Sequence, residues 1–493
     1  SKINPSQISG VSISTTLATN SVVENTGARV GLFVIGYVKH FKLPVTAIIF
    51  LKGGHSIQGT EEEPLELEYL VETLSRLKNS VDAYAVCSAM SIKNPTHELV
   101  AEKAITMMDP KPVFCSHRSS DQAGMKERAA TAALHAKLMP VMEQFVSHVQ
   151  IAMVELELSC PLTIVTGDGT VVEPVDILTR SGQTVASGPA CSALFGALSC
   201  EKTGLVVDVG GTTTDIALIE NEAPVFSANG CTIGSWVTHM PSVDMYTGGI
   251  GGDSLVTLAK DGCISVGPTR VIPLAMDDTI IRPEHWIGPG DRSRGISLSH
   301  TSNQVETCDS GQIIDFINKT GTTTFHDLRR LAVGDRISVS RHLEQLAREN
   351  RVREHGFTPT DALHVLGLAD FGNLERAEEG ATVLAAHTDM DVKSFCNMIV
   401  EKTEDRIVSL ILEFVVNRTW GNTLTNFLST YREHPILETG FGLKIPLIGL
   451  GAASVYFLPG VARKLSTTVS FPDHHEIGNA VGAAGTILED DQR

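Results

Sequence analysis

The chain has 493 residues, of which 42% are hydrophobic and 5% aromatic, and it contains 43 glycines. This length predicts two or more domains, and the glycine content favours an α/β protein. The net charge of −18 argues against nucleic acid or an anionic membrane as the main partner. Nine scattered cysteines argue against a disulfide framework, and the absence of a signal-peptide pattern or a membrane-length apolar run predicts a soluble, cytoplasmic protein.

The first 186 residues predict alternating strands and helices, as in a layered α/β domain. Apolar runs predict strands at 11–13, 30–38, 45–51, 83–90 and 151–158. Helical patterns lie between them at 64–77, 98–107 and 121–151. A polar cluster follows the first strand and suits either a ligand cleft or the cap of the next helix. Its members are Thr15, Thr16, Thr19 and Asn20.

A second polar group is the segment Asn-Pro-Thr-His-Glu at residues 94–98. Its pattern favours a helix start with Glu98 in the first turn, and His97 as a catalytic base is the less favoured alternative. Cys115 and His117 are separated by one residue, a spacing that does not define a metal site or a thiol dyad. The sequence therefore predicts no transition-metal site.

Residues 205–219 carry the most informative pattern in the chain. An apolar run is interrupted by a polar turn and then resumes, which predicts a β-hairpin. The turn contains Asp208, Gly210, Gly211, Thr212, Thr213 and Asp215. Glycine amides and threonine hydroxyls suit phosphate oxygens, and a carboxylate suits a water of phosphate-bound Mg²⁺. The hairpin predicts a nucleotide site, with an ordinary polar turn as the alternative.

Further elements follow the order that a nucleotide site requires. Ser187 as N-cap and Pro189 in the first turn predict a helix start, followed by a small-residue helix at 190–198, and a second such helix at 478–488 could cross it closely. The glycine-rich segment 248–254 predicts a second anion site at the N-terminus of a helix beginning at Leu255, or a plain loop. The strand 445–450 leads into Gly449–Ala453, where a flat ring could approach the backbone. Residues 265–420 predict an inserted, largely helical subdomain that ends in a long amphipathic helix at 392–416.

This order resembles the superfamily of actin, sugar kinases and heat-shock chaperone ATPases, and within it the hydantoinase/oxoprolinase A family. The matching segments are 15–20 with Glu24, 27–29, 94–98, 187–190, 208–215, 266–268, 358–362 and 478–484. The resemblance implies a two-lobed, actin-like ATPase with ribonuclease H-like lobes. It places an N-terminal lobe at 1–186, a C-terminal ATPase lobe at 187–264 and 421–493, and the insertion at 265–420. ATP would bind between the lobes.

The resemblance also implies roles for the candidate residues. Asp208 would hold a water of Mg²⁺, and Asp215 would orient a water or substrate oxygen, or merely cap the turn. The phosphates would contact Gly210, Gly211, Thr212 and Thr213. The phosphate and ribose side would be lined by Gly251, Gly252 and Asp253. The adenine would lie over Gly449, Gly451 and Ala452, and the substrate cleft would include Thr15, Thr16, Thr19 and Asn20.

The chain departs from the family pattern in two ways. The family has an earlier Asp-x-Gly-Gly-Thr hairpin, and this sequence starts fourteen residues before Thr15 without it. The regions between Arg29 and Asp82, and between Pro268 and Thr358, are also short, so the substrate does not transfer from longer members. The resemblance implies an ATP- and Mg²⁺-dependent hydrolase that opens a cyclic amide of the hydantoin or 5-oxoproline type. It would act alone, as a homodimer, or as an A subunit with a B subunit. The alternatives are the ATPase subunit of a ketone carboxylase-like complex and a nucleotide-binding regulatory protein.

Overall fold

The computed structural model describes residues 4–23, 27–36, 40–119, 121–227, 232–233, 236–259, 261–299, 308–330, 336–348, 350–420 and 440–490. Two compact units form the chain. The first unit comprises residues 1–202, 217–244 and 477–493, and the second comprises residues 203–216 and 245–476. Each unit is described by itself below.

The strands, in chain order, are β1 Val11–Ile13, β2 Val30–Ile35, β3 Ala47–Leu51, β4 Ala83–Ser88, β5 Val113–Cys115, β6 Leu162–Val165, β7 Val171–Val172, β8 Thr203–Val209, β9 Thr214–Glu220, β10 Ala223–Pro224, β11 Phe226–Ser227, β12 Thr232–Ile233, β13 Trp236–Val237, β14 Ser242–Val243, β15 Met245–Gly248, β16 Ser254–Leu258, β17 Ile264–Arg270, β18 Ile272–Pro273, β19 Arg294–Leu298, β20 Thr322–Thr324, β21 Val352–Gly356, β22 Leu447–Leu450 and β23 Val469–Ser470.

The helices are α1 Leu17–Val23, α2 Leu67–Leu77, α3 Thr96–Met108, α4 Met125–Glu155, α5 Ile177–Arg180, α6 Ser187–Leu198, α7 Cys308–Thr320, α8 Phe325–Arg330, α9 Arg336–Arg348, α10 Pro359–Val365, α11 Leu374–Ala385, α12 Val392–Trp420, α13 Ser454–Lys464 and α14 Gly478–Asp490. Among the described residues, every helix is too short or too polar to cross a membrane.

A four-stranded parallel sheet forms the centre of the first unit. Its strand order is β3-β2-β4-β5, and every residue of β2 and β4 is buried. Strands buried on both faces read as continuous apolar runs, which is why these segments were recognisable in the sequence. The chain passes from β2 to β3 on one side and then to β4 on the other. The carboxyl ends of β2 and β4 therefore form a topological switch point, where α/β proteins commonly bind ligands.

The predicted strand at 151–158 is wrong. Residues 151–155 are the last part of α4, and the following strand is β6 at Leu162–Val165. The apolar residues of this stretch continue the helical spacing of α4, and Met153 remains buried on its inner face. A short apolar run cannot be assigned to helix or strand by periodicity alone, so the neighbouring helix decides.

The two small-residue helices α6 and α14 pack against each other, as the sequence predicts. A Cβ atom at Gly482 would lie 2.0 Å from the carbonyl oxygen of Cys191, so the backbones touch at this point. The predicted N-cap is wrong by one residue: Ala186, in the left-handed conformation with φ of 62°, precedes the helix. Ser187 lies in the first turn instead, and its hydroxyl bonds to the backbone of Thr15.

The predicted hairpin is formed by β8 and β9, and the second unit contains β8, the turn and the first residues of β9. The strand β22 pairs in parallel with β8 and with β23. A further sheet has the order β18-β21-β19-β20, so the region 265–420 carries strands as well as the predicted helices. The predicted long helix is confirmed as α12.

The helix predicted at Leu255 is wrong, because residues 254–258 form β16, paired antiparallel with β17. Residues 254–258 follow the glycines at 248–252, and most of them are apolar or β-branched, which favours a strand. Glu24 and residues 421–439, which belong to the sequence predictions, lie outside the described residues. The compact units group residues by proximity, so the predicted domain boundaries remain a prediction.

The contact between α6 and α14 gives a test of packing. We expect Gly482→Ala to lower the free energy of unfolding by about 1–3 kcal/mol, because the added methyl group meets backbone atoms that cannot move aside. The matched control is Gly485→Ala in the same helix, where a Cβ atom has nothing within 4 Å. We expect that control to be neutral or stabilising by about 0.5–1 kcal/mol in urea unfolding. Equal destabilisation by both variants would contradict the close crossing.

Candidate functional site

The turn of the β8–β9 hairpin is held by backbone hydrogen bonds. The amide of Gly210 donates to the carbonyl of Thr213 (3.0 Å) and closes the turn. The neighbouring segment braces it from outside: the amide of Gly252 donates to the Gly210 carbonyl (3.0 Å), and that of Asp253 to the Gly211 carbonyl (2.8 Å). The turn is therefore fixed at two successive carbonyls.

These bonds change the role predicted for residues 251–253. The amides of Gly252 and Asp253 are engaged by the hairpin, and the amide of Gly251 donates to the Ser254 hydroxyl (2.9 Å). Without the helix predicted at Leu255, there is also no helix dipole at this position. The segment therefore supports the turn of the hairpin instead of forming a second anion site.

Glycine is required where these backbones meet. A Cβ atom on Gly251 would lie 2.4 Å from the Gly210 carbonyl oxygen, and one on Gly211 would lie 2.4 Å from Oδ2 of Asp253. Gly451, with φ of +84°, approaches the end of β8 in the same way, since its Cβ would lie 2.5 Å from Oδ1 of Asp208. Three glycine-rich segments that are distant in sequence thus converge on one turn.

The two carboxylates of the hairpin influence each other. Oδ1 of Asp215 is shielded from solvent and has no hydrogen-bond partner. Burial and, to a smaller extent, the neighbouring charge of Asp208 raise the pKa of Asp215 to about 7, against the opposing effect of a hydrogen bond with Thr247. A carboxylate pair with one shielded oxygen and a pKa close to neutrality suits a cation or a polarised ligand.

A cavity of about 320 Å³ lies beside the turn. Its walls are mostly apolar, and Asp253, Arg270 and Thr360 add polar groups. The lining residues are Gly211, Gly252, Asp253, Arg270, Val271, Ile272, Pro273, Met276, Thr360, Leu363, Phe371, Ala452, Ala453 and Tyr456. An apolar pocket with a few convergent polar groups is the usual form of a small-molecule site.

Two side-chain pairs shape this cavity. Phe371 and Tyr456 meet edge to face, with ring centroids 6.0 Å apart. Arg270 and Asp253 form an ion pair at 3.3 Å, and the guanidinium is largely exposed. Burial raises the pKa of Asp253, although the charge of Arg270 opposes this shift. The cavity thus offers an aromatic wall and an exchangeable ion pair.

The wall at Thr360 is fixed by a helix cap. Thr358 and Asp361 form a capping box at the start of α10, and the Thr360 hydroxyl donates to the Gly252 carbonyl (2.8 Å). The fully buried Asp361 also accepts the amides of Leu274 (3.1 Å) and Ala275 (2.9 Å), and burial raises its pKa to about 6. The sequence segment 358–362 is therefore a structural anchor of the cavity.

Other predicted site residues have different surroundings. Gly449 is buried within β22, where a Cβ atom would lie 2.4 Å from the ring of Phe471, which does not support a place beneath an adenine. In the first unit, the Thr15 hydroxyl accepts the amide of Leu17 (3.0 Å) and that of Thr19 accepts the amide of Ala186 (3.0 Å). The Thr15 bond favours the capping interpretation, the Thr19 bond ties α1 to the residue before α6, and Thr16 and Asn20 are exposed.

The sequence reasoning missed several cavity residues: Arg270, Phe371, Tyr456 and Thr360. Thr360 lies inside the segment 358–362, which resembles the family. Nothing in that segment distinguishes a residue that lines the cavity from one that caps a helix. Arg270 is the last residue of β17, the strand that pairs with β16. The two aromatics come from the loop after α10 and from α13, and no local pattern links them.

Comparisons with known proteins agree with this architecture. The family model for hydantoinase/oxoprolinase matches residues 128–272, and that for the hydantoinase/oxoprolinase N-terminal region matches residues 1–108. Caprolactamase subunit alpha from Pseudomonas jessenii is 26% identical over 290 residues, which cover 52% of this chain and 40% of that protein. The chain thus spans less than half the length of this curated relative.

Two solved structures share the fold. The nucleotide-free structure of acetone carboxylase has a TM-score of 0.64 at 16% identity, covering 96% of this chain and 60% of that one. The ATP-dependent caprolactamase from Pseudomonas jessenii has a TM-score of 0.58 at 19% identity, covering 96% and 61%. The fold is therefore the mixed α/β architecture of these two enzymes. Together the two family segments cover just over half of the residues, and the chain belongs to the hydantoinase/oxoprolinase family.

The raised pKa of Asp215 predicts a pH dependence of stability. The folded state binds this proton more tightly than the unfolded state, so the stabilisation is complete below about pH 4 and is lost as the pH rises towards 7. We expect the free energy of unfolding of Asp215→Asn to fall less than that of the wild type as the pH rises from 5 to 8, measured in the presence of EDTA. The control is Asp389→Asn at an exposed position of the same unit. Parallel pH profiles for all three proteins would contradict the assignment.

Proposed function

We propose that this chain is the ATP-binding component of an ATP-dependent hydrolase that opens a cyclic amide. The observation that carries the proposal is the pair Asp208 and Asp215 on a glycine turn, beside an apolar cavity with a few polar groups. The caprolactamase relative, whose name describes action on a cyclic amide, supports the substrate class. The chemistry of phosphoryl transfer needs positioning and charge neutralisation more than it needs a reactive side chain.

The residues fit Mg·ATP. Oδ1 of Asp215 is a buried oxygen without a partner, and Asp208 supplies a second carboxylate close to it. When bound, Mg²⁺ neutralises phosphate charge and ATP provides the phosphoryl group that activates an amide oxygen. Carboxylates that hold a hydrated Mg²⁺ and a backbone turn that faces phosphate are the protein's contribution to such a site.

The roles of the chain's residues follow from their positions. We assign Asp208 to a water of Mg²⁺, Asp215 to orienting a water or substrate oxygen, and the turn to phosphate contacts. The cavity takes the nucleotide base against Phe371 and Tyr456, while Asp253 and Arg270 face the ribose and phosphates. When the nucleotide binds, its contacts replace the Arg270–Asp253 ion pair. Exposed ion pairs of this kind contribute little stability, so their exchange is inexpensive.

We also propose a two-lobed, actin-like ATPase fold, a B subunit as partner or a homodimer, and a cytoplasmic location. The alternative activity, ATP-driven carboxylation of a ketone, has only fold-level support, because acetone carboxylase is 16% identical. The name of the relative matched by sequence describes action on a lactam, which favours the hydrolysis of a cyclic amide. A regulatory protein without catalysis would bind Mg·ATP and leave every lactam intact.

Asp208 gives the direct test of the nucleotide site. We expect Asp208→Ala to abolish binding of Mg·ATP and Mg·ADP in isothermal titration calorimetry of the full-length protein, while urea unfolding remains cooperative. A turn carboxylate makes few packing contacts, so the fold should survive its removal. Asp389→Ala serves as the control for losing one negative charge in the same unit. Unchanged nucleotide affinity in Asp208→Ala would refute the assignment.

The aromatic wall gives a second test, specific for the base. We expect Tyr456→Ala to weaken Mg·ATP binding by about tenfold, which corresponds to about 1.4 kcal/mol, and to leave Mg·tripolyphosphate binding unchanged. Tyr456→Phe keeps the ring and should bind both as the wild type does. Equal losses for ATP and tripolyphosphate would show that this cavity does not hold the base.

The activity itself is tested by screening caprolactam, hydantoin and 5-oxoproline for stimulated ADP release with formation of the ring-opened acid. Acetone with bicarbonate tests the alternative. Stimulation by a ketone and bicarbonate, and by none of the lactams, would replace the hydrolase proposal with the carboxylase one.

A further inference from the structure

The carboxyl edge of the parallel sheet in the first unit carries a second group of polar residues. The ends of β4 and β5 present Ser88 and Ser116, and the first turn of α3 presents Glu98. This edge includes the switch point between β2 and β4, where the loops of α/β proteins diverge and leave room for ligands. None of these residues takes part in the nucleotide site.

Glu98 is fully buried and accepts four hydrogen bonds. Its Oε1 accepts the amide of Ser88 (2.7 Å) and the hydroxyl of Ser116 (2.6 Å). Its Oε2 accepts the amide of His117 (2.9 Å) and the Nδ1–H of the same residue (2.6 Å). Burial opposes ionisation, but these hydrogen bonds outweigh it and hold the pKa of Glu98 below its ordinary value. The carboxylate is therefore charged at neutral pH.

The charge of Glu98 is balanced by a buried arginine. Arg128 is fully buried in α4 and donates to the hydroxyl of Ser116 (3.0 Å) and to the carbonyl of Ser88 (3.0 Å). Ser116 links the two residues, because its hydroxyl accepts from Arg128 and donates to Glu98. The result is a continuous chain from Arg128 through Ser116 and Glu98 to His117.

This arrangement fixes the tautomer of His117. Because Nδ1 donates its proton to Glu98, Nε2 is the basic nitrogen, and the side chain is 18% exposed. A buried carboxylate behind a partly exposed imidazole is the arrangement that holds a general base in one orientation. His97 has the opposite situation: Nδ1 accepts the amide of Gly54 (2.9 Å) and Nε2 bonds to Glu61 (2.9 Å), so both nitrogens are occupied. The sequence alternative of His97 as the base is not supported.

We propose that His117 is the general base of the ring-opening step, with Glu98 and Arg128 as its positioning residues. This inference rests on the proposed cyclic-amide hydrolysis. Ring opening follows phosphoryl transfer as a separate chemical step, so its base need not belong to the nucleotide site.

The step balances without an oxidant or reductant. The oxygen of water forms a bond to the activated amide carbon, and its proton passes to Nε2 of His117. The electron pair of the breaking C–N bond goes to the ring nitrogen, which takes the proton back from Nε2–H. The phosphoryl group introduced from ATP leaves as inorganic phosphate when a second water hydrolyses the acyl phosphate. The imidazole ends the cycle neutral.

The test separates ADP release from ring opening in one reaction. We measure both products in the full-length protein, with its partner subunit where one co-purifies, on whichever lactam of caprolactam, hydantoin and 5-oxoproline stimulates the wild type. We expect His117→Ala to lower ring opening by about 10²–10⁴-fold, the usual range for a general base, while the Kd for Mg·ATP is unchanged. ADP release falls less, so the ratio of ADP to opened ring rises, and added imidazole restores part of the ring opening.

Two further variants make the outcome specific. Glu98→Gln should raise the same ratio, which a merely structural defect would not do, and His117→Ala alone carries the test if the Glu98 variant fails to fold. Cys115→Ser is the matched control, because the Cys115 thiol lies close to both Glu98 and His117 and the three could instead hold a metal ion. We expect Cys115→Ser to match the wild type.

Three results would overturn the inference. The first is a proportional loss of ADP release and ring opening in His117→Ala without imidazole rescue. The second is wild-type ring opening in that variant. The third is loss of ring opening in Cys115→Ser with zinc present in the wild type, which would make the group a metal site. A wild type that binds Mg·ATP but responds to no lactam would instead refute the hydrolase proposal, and the inference with it.

Discussion

The hydrogen bonds from the Gly252 and Asp253 amides to the carbonyls of Gly210 and Gly211 are the constraint on which the proposed nucleotide site depends. They fix the hairpin turn from one side, so that the carboxylates at its two ends are held close together. The contact is possible only because Gly251 and Gly211 lack side chains where the two segments meet. A hairpin alone is a marginal structure, and this brace makes its turn rigid enough to bind a ligand.

That rigidity has an electrostatic cost that the site uses. Burial of Asp215, with one oxygen shielded, is the main cause that raises its pKa to about 7, and the charge of Asp208 adds to it. A bound cation would favour the charged form of this carboxylate. Glu98 shows the opposite solution, since four hydrogen bonds satisfy its buried charge. In the proposed site the first carboxylate serves a ligand, whereas the second orients a histidine.

Much of this architecture could be predicted from the sequence, for reasons that are local. The hairpin, α12, α14 and the buried strands have periodicities and glycine patterns that specify them within a few residues. The errors fall where local patterns are ambiguous: residues 151–155 continue a helix, and residues 254–258 form a strand. The cavity wall was not predictable, because Phe371 and Tyr456 come from separate elements. The pair of Glu98 and His117 was also missed, since their nineteen-residue separation gives no periodic pattern and only the parallel sheet brings them together.

The crossing of α6 with α14 has a consequence for how the protein is made. Most of the first unit comes from residues 1–202. Its helix α6, which contains Cys191, nevertheless packs against α14, which contains Gly482 and lies near the end of the sequence. During synthesis, the inner face of α6 therefore emerges from the ribosome long before its partner helix. A contact of such long sequence separation forms late, and until then this apolar face is open to association with other chains. Folding of the first unit is thus completed only when nearly the whole sequence has been translated, and the protein is most dependent on chaperones during that interval.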